Sequence, residues 1–278
     1  MLFVRNVAKL KKIIKQKKNQ NVTIGFVPTM GYLHEGHLSL IRIARKKCQF
    51  LAVSIFVNPI QFGPKEDFKK YPRNLKKDLR MLKDEGVDLV FYPSVKDMYP
   101  ADYKTSVYVK ELSKILCGAS RPHHFQGVTT IVLKLLNVVQ PDIMAFGKKD
   151  FQQAIIIKKM VEDLHLDVKI TMGKIIREKD GLALSSRNIY LSKTQRKNAV
   201  VLHESLKWAK QAFKKGLRNP KETIKRMKMT IKEKNGRIDY VEAVDPCTLQ
   251  PVKKLQKGTL IALAAFFGKT RLIDNTIL

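Results

Sequence analysis

The sequence is poor in acidic residues and cysteines, and it has no long apolar runs; the last two shortages each exclude a class of protein. Its 24 Asp and Glu residues stand against 54 Lys and Arg, which gives a net charge of +30 over 278 residues. The three cysteines are too few and too far apart for a disulfide framework or a metal site. They indicate buried thiols in a reducing, cytoplasmic compartment. No apolar run approaches the roughly 18 residues of a membrane span.

The sequence also lacks both common glycine-rich phosphate loops. No two of its 14 glycines have the G-x-G spacing of a dinucleotide-binding loop. Gly268-Lys269-Thr270 lacks the glycine five positions upstream that a P-loop requires. Any nucleotide must therefore bind through a loop of another kind.

The excess of basic residues by itself leaves a nucleic-acid-binding protein open as an alternative. The lysines are spread through the whole chain, however, and aromatic residues are not interleaved with them. We therefore expect no specific nucleic-acid partner. Residues 1–20 carry seven basic and no acidic side chains, with one apolar face. Because that segment has no cleavage-like site and runs directly into a strand pattern, we expect a covering helix and no transit peptide.

Apolar strand patterns alternate with helical patterns through the first two thirds of the chain. The strands are predicted at 22–27, 50–57, 87–92, 143–146 and 168–172, and the helices at 75–85, 127–139 and 150–164. This alternation predicts an α/β fold, a Rossmann-like doubly wound parallel sheet, with ligands beyond the carboxyl ends of the strands.

The character of the chain changes near residue 190. Residues 193–235 hold 14 basic and 3 acidic side chains in two helical stretches divided near Asn219-Pro220. Two further strands are predicted at 238–244 and 259–267. We therefore divide the chain into a Rossmann-like domain at 1–175 and a smaller C-terminal α+β domain at 176–278.

The stretch that organises the rest is residues 27–37, Val-Pro-Thr-Met-Gly-Tyr-Leu-His-Glu-Gly-His. Its pattern predicts a strand that breaks at Pro28, a tight loop, and a helix that begins near His34 and His37. A helix N-terminus suits phosphate, and two imidazoles there can donate hydrogen bonds to phosphate oxygens. Taken alone, the same pattern also fits two surface histidines in a glycine-containing loop.

Four more loops are unusually polar for segments beside buried strands. Gln61 in the first could bind a hydroxyl or carboxylate, Arg121 in the second could meet pyrophosphate, and the third opens a helix. In the fourth, two hydroxyls and the guanidinium of Arg187 could surround a triphosphate. The loops are 58–73, 121–127, 146–153 and 177–188. Each alone also fits a solvated surface loop.

Together these motifs resemble the pantothenate synthetase family over essentially the whole chain. The matching segments occur in the family's order: 28–37, 58–62, 71–73, 124–128, 146–153 and 180–188. The C-terminal Thr270-Arg271-Leu272-Ile273-Asp274-Asn275 is similar to the family's ending.

The resemblance implies the following roles. His37, as the acid, and His34, Lys149 and Arg187 are the catalytic residues, and Gln61 and Gln153 bind pantoate. Asp78 is a neighbour of magnesium. ATP is bound by Met30, Gly31, Tyr32, Leu33, His34, Glu35, Gly36, His37, Gly147, Lys148, Lys149, Asp150, Ile176, Leu184, Ser185, Ser186 and Arg187.

The implied activity is an ATP- and Mg²⁺-dependent ligation of pantoate and β-alanine to pantothenate through a pantoyl adenylate, with release of AMP and pyrophosphate. The resemblance further implies that 1–175 binds nucleotide and pantoate, that 176–278 is a lid, and that the protein is a homodimer. Two departures are visible: Lys148 stands where the family usually has Glu, and Lys174-Ile175-Ile176 replaces the usual Val-Pro-Thr.

The main alternative is an enzyme similar to the aminoacyl-tRNA synthetases, or another nucleotidyltransferase. Lys228-Met229-Thr230-Ile231-Lys232 resembles the Lys-Met-Ser-Lys-Ser signature of synthetases. It differs at the fourth position and lies in a helical pattern, and the chain leaves no room for an anticodon-binding domain. A basic nucleic-acid-binding protein would need neither the paired glutamines nor the histidine loop.

Overall fold

A computed structural model describes residues 1–64 and 66–278, so Lys65 of the first polar loop after the histidines lies outside the described residues. The N-terminal part is a parallel sheet flanked by helices. Its strands are β1 Leu2–Val4, β2 Ile24–Thr29, β3 Phe50–Ile55, β4 Leu89–Phe91, β5 Ile143–Gly147 and β6 Lys169–Gly173. Its helices are α1 Val7–Asn19, α2 Glu35–Arg45, α3 Leu75–Asp84, α4 Val95–Met98, α5 Cys117–Ser120, α6 His124–Val139 and α7 Phe151–Asp163.

The strand order β1-β4-β3-β2-β5-β6, all parallel, confirms the predicted doubly wound sheet. From β2 the chain first winds through β3 and β4 on one side and later continues through β5 and β6 on the other. The winding reverses between β2 and β5, and an open α/β sheet binds ligands outside the carboxyl ends of strands at that point. Thr29 and Gly147 end these two strands, so the loops that follow them meet at the expected ligand crevice.

Both faces of the sheet are covered by apolar side chains from the helices. The face covered by α1, α6 and α7 buries Phe26 and Phe91, whereas the face covered by α2 and α3 buries Ile41 and Leu82. Burial on both faces explains why the strands are continuous apolar runs and do not alternate. A core of this kind fixes where each strand ends, and thereby where each loop begins.

The prediction that the first long strand breaks at Pro28 is wrong, since β2 continues through Pro28 to Thr29. β2 pairs with β3 along its whole length but with β5 only at Gly25 and Phe26. The β5 side is therefore unpaired at Pro28, and a residue without an N–H is tolerated there. At the N-terminus, the expected covering helix forms as α1, but it is preceded by β1, which the sequence pattern did not indicate.

The C-terminal part is an antiparallel sheet packed against helices. It contains α8 Lys193–Ala199, α9 Val201–Lys214, α10 Pro220–Glu233, and the strands β7 Arg237–Val244, β8 Leu260–Phe267 and β9 Thr270–Ile277, in the order β7-β8-β9. Two helical stretches and two strands were predicted here, whereas the structure has three helices and three strands. Residues 193–214 form two helices, and β9 was not predicted because buried polar residues interrupt its apolar pattern. The domain boundary at 175/176 stays a prediction.

No helix within 1–64 and 66–278 is long and apolar enough to cross a membrane. The same residues contain no group of three or more His, Cys, Asp or Glu side chains that could hold a metal ion.

All three cysteines are free. Only Cys117 is buried, whereas Cys48 is half-buried and Cys247 is exposed, so the expectation of three buried thiols was wrong.

Candidate functional site

The loop after β2 is folded by a buried carboxylate. Asp78, in α3 and 1% exposed, accepts hydrogen bonds from the backbone N–H groups of Tyr32 and Leu33, both at 2.8 Å. Gly31 has φ +83°, and an added Cβ would lie 3.1 Å from an Asp78 oxygen and 2.9 Å from a methyl carbon of Ile55. Glycine is therefore needed at this position for both its conformation and its closeness to the carboxylate.

The magnesium role predicted for Asp78 stays a prediction. Each of its oxygens accepts one N–H of the loop. Burial raises the pKa of Asp78, while the two backbone N–H groups oppose that rise. Its geometry is that of a residue that shapes the loop.

His34 and His37 form a reciprocal cap at the start of α2. The Nδ1 atom of His34 accepts from Gly36 N–H at 3.2 Å, and that of His37 accepts from His34 N–H at 3.3 Å. The ring centroids are 4.1 Å apart. Since both Nδ1 atoms accept, a neutral ring carries its proton on Nε2, and no group among the described residues accepts from these two Nε2–H donors. The predicted position of these histidines at the helix start is confirmed.

Both imidazoles are held in the neutral form. Burial lowers the pKa of His34 to about 4, and the positive charge of Lys149 adds to that effect. Burial likewise lowers the pKa of His37 well below its usual value, with further contributions from His34 and Lys149. Lys149 is thus an electrostatic neighbour of both rings.

Lys149 lies in a 3-10 turn, Lys148–Asp150, between β5 and α7. Lys149 is half-buried, whereas Lys148 and Asp150 are exposed. Burial lowers the pKa of Lys149, Arg187 lowers it further, and the carboxylates of Asp150 and Asp274 oppose the decrease. The turn therefore brings a partly desolvated lysine beside the histidines, where its positive charge can attract phosphate.

The fourth polar loop folds back on itself and reaches the histidine loop. Leu184 N–H donates to Ile176 carbonyl at 3.0 Å, which joins the two predicted nucleotide contacts of this loop. Ser186 Oγ donates to Tyr32 carbonyl at 3.2 Å, and Ser185 Oγ accepts from Arg187 N–H at 3.3 Å. Four segments predicted to bind ATP, around residues 30–37, 147–150, 176 and 184–187, thus adjoin one another.

Arg187 is paired with an acid that the sequence analysis did not single out. Its Nε and Nη2 groups each donate to Asp67 at 2.9 Å. The guanidinium also lies 5.4 Å from the ring centroid of Tyr71. Among the described residues no side chain accepts from Nη1, so this edge of the guanidinium is available to a ligand while the ion pair persists.

Gln61 contacts the histidine loop directly. Its Nε2 group donates to Met30 Sδ at 3.1 Å, and its Oε1 accepts from Asn58, which is 1% exposed. Gly127 of α6 permits this arrangement, because an added Cβ would lie 2.6 Å from Gln61 Cα. The other predicted pantoate residue, Gln153, is half-buried in α7. Within the described residues no hydrogen bond joins the two glutamine side chains.

The guanidinium of Arg121, for which a contact with pyrophosphate was predicted, is held in an ion pair. Its guanidinium forms a bidentate ion pair with Glu66, at 2.7 and 2.5 Å, and also donates to Gln61 carbonyl at 3.4 Å. The following residues begin helix α6, and His124 Nδ1 lies 2.9 Å from the same carbonyl. This segment therefore supports the backbone of Gln61.

Gln152, beside the predicted Gln153, was missed. It is 7% exposed, its Nε2 group donates to Leu112 and Ile115 carbonyls, and its Oε1 accepts from Cys117 N–H. It fixes the connection into α5. Both glutamines precede buried isoleucines at helical spacing, so no pattern in the sequence distinguishes their roles.

A cavity of about 360 Å³ lies beside the same loop and is lined in part by Met30, Tyr32 and Asp78. The residues that line it do not include His34 or Lys149. We therefore assign the phosphate site to the group formed by the two histidines, Lys149 and Arg187, and not to this cavity.

The fold and site define a Rossmann-like α/β protein with a cationic, hydrogen-bond-donating crevice suited to a phosphate-bearing ligand. The sequence profile of the family described as Pantoate-beta-alanine ligase matches residues 2–277. The chain belongs to this family, and it is a ligase. A pantothenate synthetase from Caldicellulosiruptor saccharolyticus is 54% identical over 278 residues, which cover 100% of this chain and 99% of that protein.

Two solved structures are similar over the whole chain. The crystal structure of pantothenate synthetase from Thermus thermophilus has a TM-score of 0.95 and 42% identity, and covers 100% of this chain and 99% of its own. Pantoate-beta-alanine ligase from Francisella tularensis, complexed with beta-gamma ATP and beta-alanine, has a TM-score of 0.85 and 36% identity, with coverages of 100% and 97%. The segment resembling a synthetase signature lies inside helix α10, Pro220–Glu233, as its pattern predicted.

Proposed function

We propose that this ligase condenses pantoate with β-alanine in two steps and releases AMP and pyrophosphate. The observation that carries the proposal is the grouping of His34, His37, Lys149 and Arg187 where the sheet reverses its winding. Four donors or cations at one crevice suit a triphosphate and the charge that develops when pyrophosphate leaves.

In the first step a carboxylate oxygen of pantoate attacks the α-phosphorus of ATP. The bond to the bridging oxygen breaks, and that oxygen leaves with pyrophosphate. In the second step the β-alanine amine attacks the acyl carbon of the adenylate, its bond to the phosphate oxygen breaks, AMP leaves, and the nitrogen loses a proton. Positioning and charge stabilisation supply most of the catalysis in phosphoryl transfer.

Before ATP binds, both histidines are neutral hydrogen-bond donors in this scheme. With lowered pKa values, His34 and His37 enter the reaction as imidazoles whose Nε2–H groups are available to phosphate oxygens. The negative charge of bound ATP would favour the imidazolium form, which supports the predicted role of His37 as an acid toward the leaving pyrophosphate.

Gln61 and Gln153 are proposed to bind pantoate, because neutral amides can both donate to a carboxylate and accept from hydroxyls. The hydrogen bond from Gln61 to Met30 supports a substrate site next to the nucleotide. The structure of a family member from Francisella tularensis complexed with beta-gamma ATP and beta-alanine supports ATP and β-alanine as the other two substrates.

We further propose that 1–175 binds nucleotide and pantoate and that 176–278 serves as the lid.

ATP is proposed to enter as its magnesium complex, with Asp78 as a neighbour of the metal. A homodimer and a cytoplasmic location are further proposals from the family resemblance. Light scattering tests the first, since a dimer would have twice the mass of the 31.9 kDa chain. Fractionation of the source cells tests the second.

The two-step scheme is tested by isotope exchange. With ATP, Mg²⁺ and pantoate but no β-alanine, the enzyme should incorporate labelled pyrophosphate into ATP. Lys149→Ala should suppress this exchange as strongly as it suppresses the full reaction, yet should convert separately prepared pantoyl adenylate to amide at a rate near wild type. Exchange that required β-alanine would contradict the order of the steps, and overall synthesis without any exchange would indicate concerted chemistry.

A further inference from the structure

The turn that carries Lys149 is held from the C-terminal sheet. Asn275 of β9 donates from its side-chain nitrogen to the carbonyl of Lys148 at 2.8 Å and to that of Lys149 at 3.0 Å. These residues are 126 or more positions apart in the chain. One amide group therefore uses both of its N–H bonds on the backbone of a single turn.

Asn275 is itself firmly placed. It is 6% exposed and pairs in register with Ala262 of β8, and its own N–H donates to Asp274 Oδ1 at 2.8 Å. A buried amide on a paired strand loses little further freedom when it binds the turn. It can therefore fix the position of Lys149 more sharply than an exposed loop residue could.

The preceding residue connects the same strand to the loop that carries Arg187. Asp274, 3% exposed, accepts from both terminal nitrogens of Arg177, at 2.6 and 2.9 Å. Arg177 also donates to Gly181 carbonyl at 3.1 Å. Adjacent residues of β9 thus contact two separate segments proposed to bind ATP.

We propose that Asn275 is a positioning residue for Lys149, through which the C-terminal sheet completes the nucleotide site. This inference rests on the proposed function, in which Lys149 contacts the phosphates of ATP. Asn275 does not contact the reacting atoms. It holds the backbone of the turn so that the lysine ammonium group lies in reach of phosphate, and a displacement of about 1 Å at such a site can cost about 100-fold in rate.

The test is a double-mutant cycle in which Asn275→Ala and Lys149→Ala are combined. Asn275→Ala alone should lower kcat/KM for ATP by about 10- to 100-fold and leave KM for pantoate near wild type. In the Lys149→Ala background, the same change should lower the residual kcat/KM for ATP by less than about 3-fold, because the residue it positions is gone. Equal losses in both backgrounds would overturn the inference.

Two further variants separate positioning from folding. Asp239→Asn removes the acid that accepts from Arg271 of the same strand at 2.9 and 2.7 Å, away from the Lys149 turn. It should lower the Tm and leave the ATP parameters unchanged. If Asn275→Ala does not fold, Asn275→Ser, whose hydroxyl keeps one donor, should show an intermediate loss confined to ATP. A parallel loss for pantoate in either Asn275 variant would indicate a general structural role.

These variants also distinguish a failure of the positioning role of Asn275 from a failure of the proposed function. If Lys149→Ala itself leaves ATP binding and exchange unchanged, the proposed role of the lysine is wrong. If Lys149→Ala is damaging but Asn275→Ala is not, only the positioning inference fails.

Discussion

The ion pair between Asp67 and Arg187 leads to the sharpest prediction about ATP binding. Asp67→Asn removes the charge of an acid that accepts from Nε and Nη2 of Arg187, both at 2.9 Å. These bonds leave the Nη1 edge for phosphate. Without the carboxylate, we expect the guanidinium to lose its orientation and ATP to bind more weakly.

The burial of the Asp67–Arg187 ion pair determines how large the loss in ATP binding should be. The side chains of Arg187 and Asp67 are 28% and 24% exposed, between the limits of a surface and a buried ion pair. Removing one partner of a fully buried pair costs about 3–5 kcal/mol, whereas an exposed pair is worth about 0–1 kcal/mol. An intermediate pair thus contributes about 1–2 kcal/mol to folding, and this is the upper bound on what its loss removes from ATP binding, which is up to about a 30-fold rise in KM for ATP.

The neighbouring acid provides a matched control. Glu66 forms a similar pair with Arg121, which also contacts the Gln61 carbonyl. Glu66→Gln should therefore leave KM for ATP near wild type and act on pantoate if it acts at all. Steady-state kinetics with each substrate varied in turn, together with pyrophosphate exchange, would separate the two variants. An unchanged or lower KM for ATP in a folded Asp67→Asn protein would refute the reasoning.

Three further predictions concern the histidines and glutamines. His37→Ala should lower turnover by about 10²–10³, the usual scale for losing one transition-state donor, and near-normal turnover in a folded variant would reject its assignment. Gln61→Ala or Gln153→Ala should weaken pantoate binding by about 1–3 kcal/mol in calorimetry and change ATP affinity much less. The reverse pattern would show that the pantoate pocket is assigned wrongly. The lowered pKa of His34, about 4 against 6.5, means that the unfolded chain binds more protons between these values. Unfolding free energy should therefore fall as pH drops from about 6.5 to about 4, by up to about 3 kcal/mol from this group, with a shallower fall in His34→Ala measured by denaturant titration.

The fold class and the site segments could be predicted from the sequence because both depend on local signals. Continuous apolar runs such as that of β3 are typical of strands buried on both faces, and helical spacing identifies α2. The histidines were placed at a helix start from the strand-loop-helix pattern alone. The short strand β1 and the last strand β9 have no such pattern, so they were missed.

What the tertiary structure decided was the pairing of polar side chains across long distances in the chain. Asp67 and Arg187 are 120 residues apart, and Asn275 and Lys149 are 126 apart. In sequence, Asp67 stands in a polar loop like any solvated acid, and Asn275 interrupts a strand. A polar residue acquires a partner only when packed elements bring the two together and exclude water from them, and no local periodicity records that event. The same reason explains Asp78, whose buried carboxylate shapes the histidine loop from a separate helix.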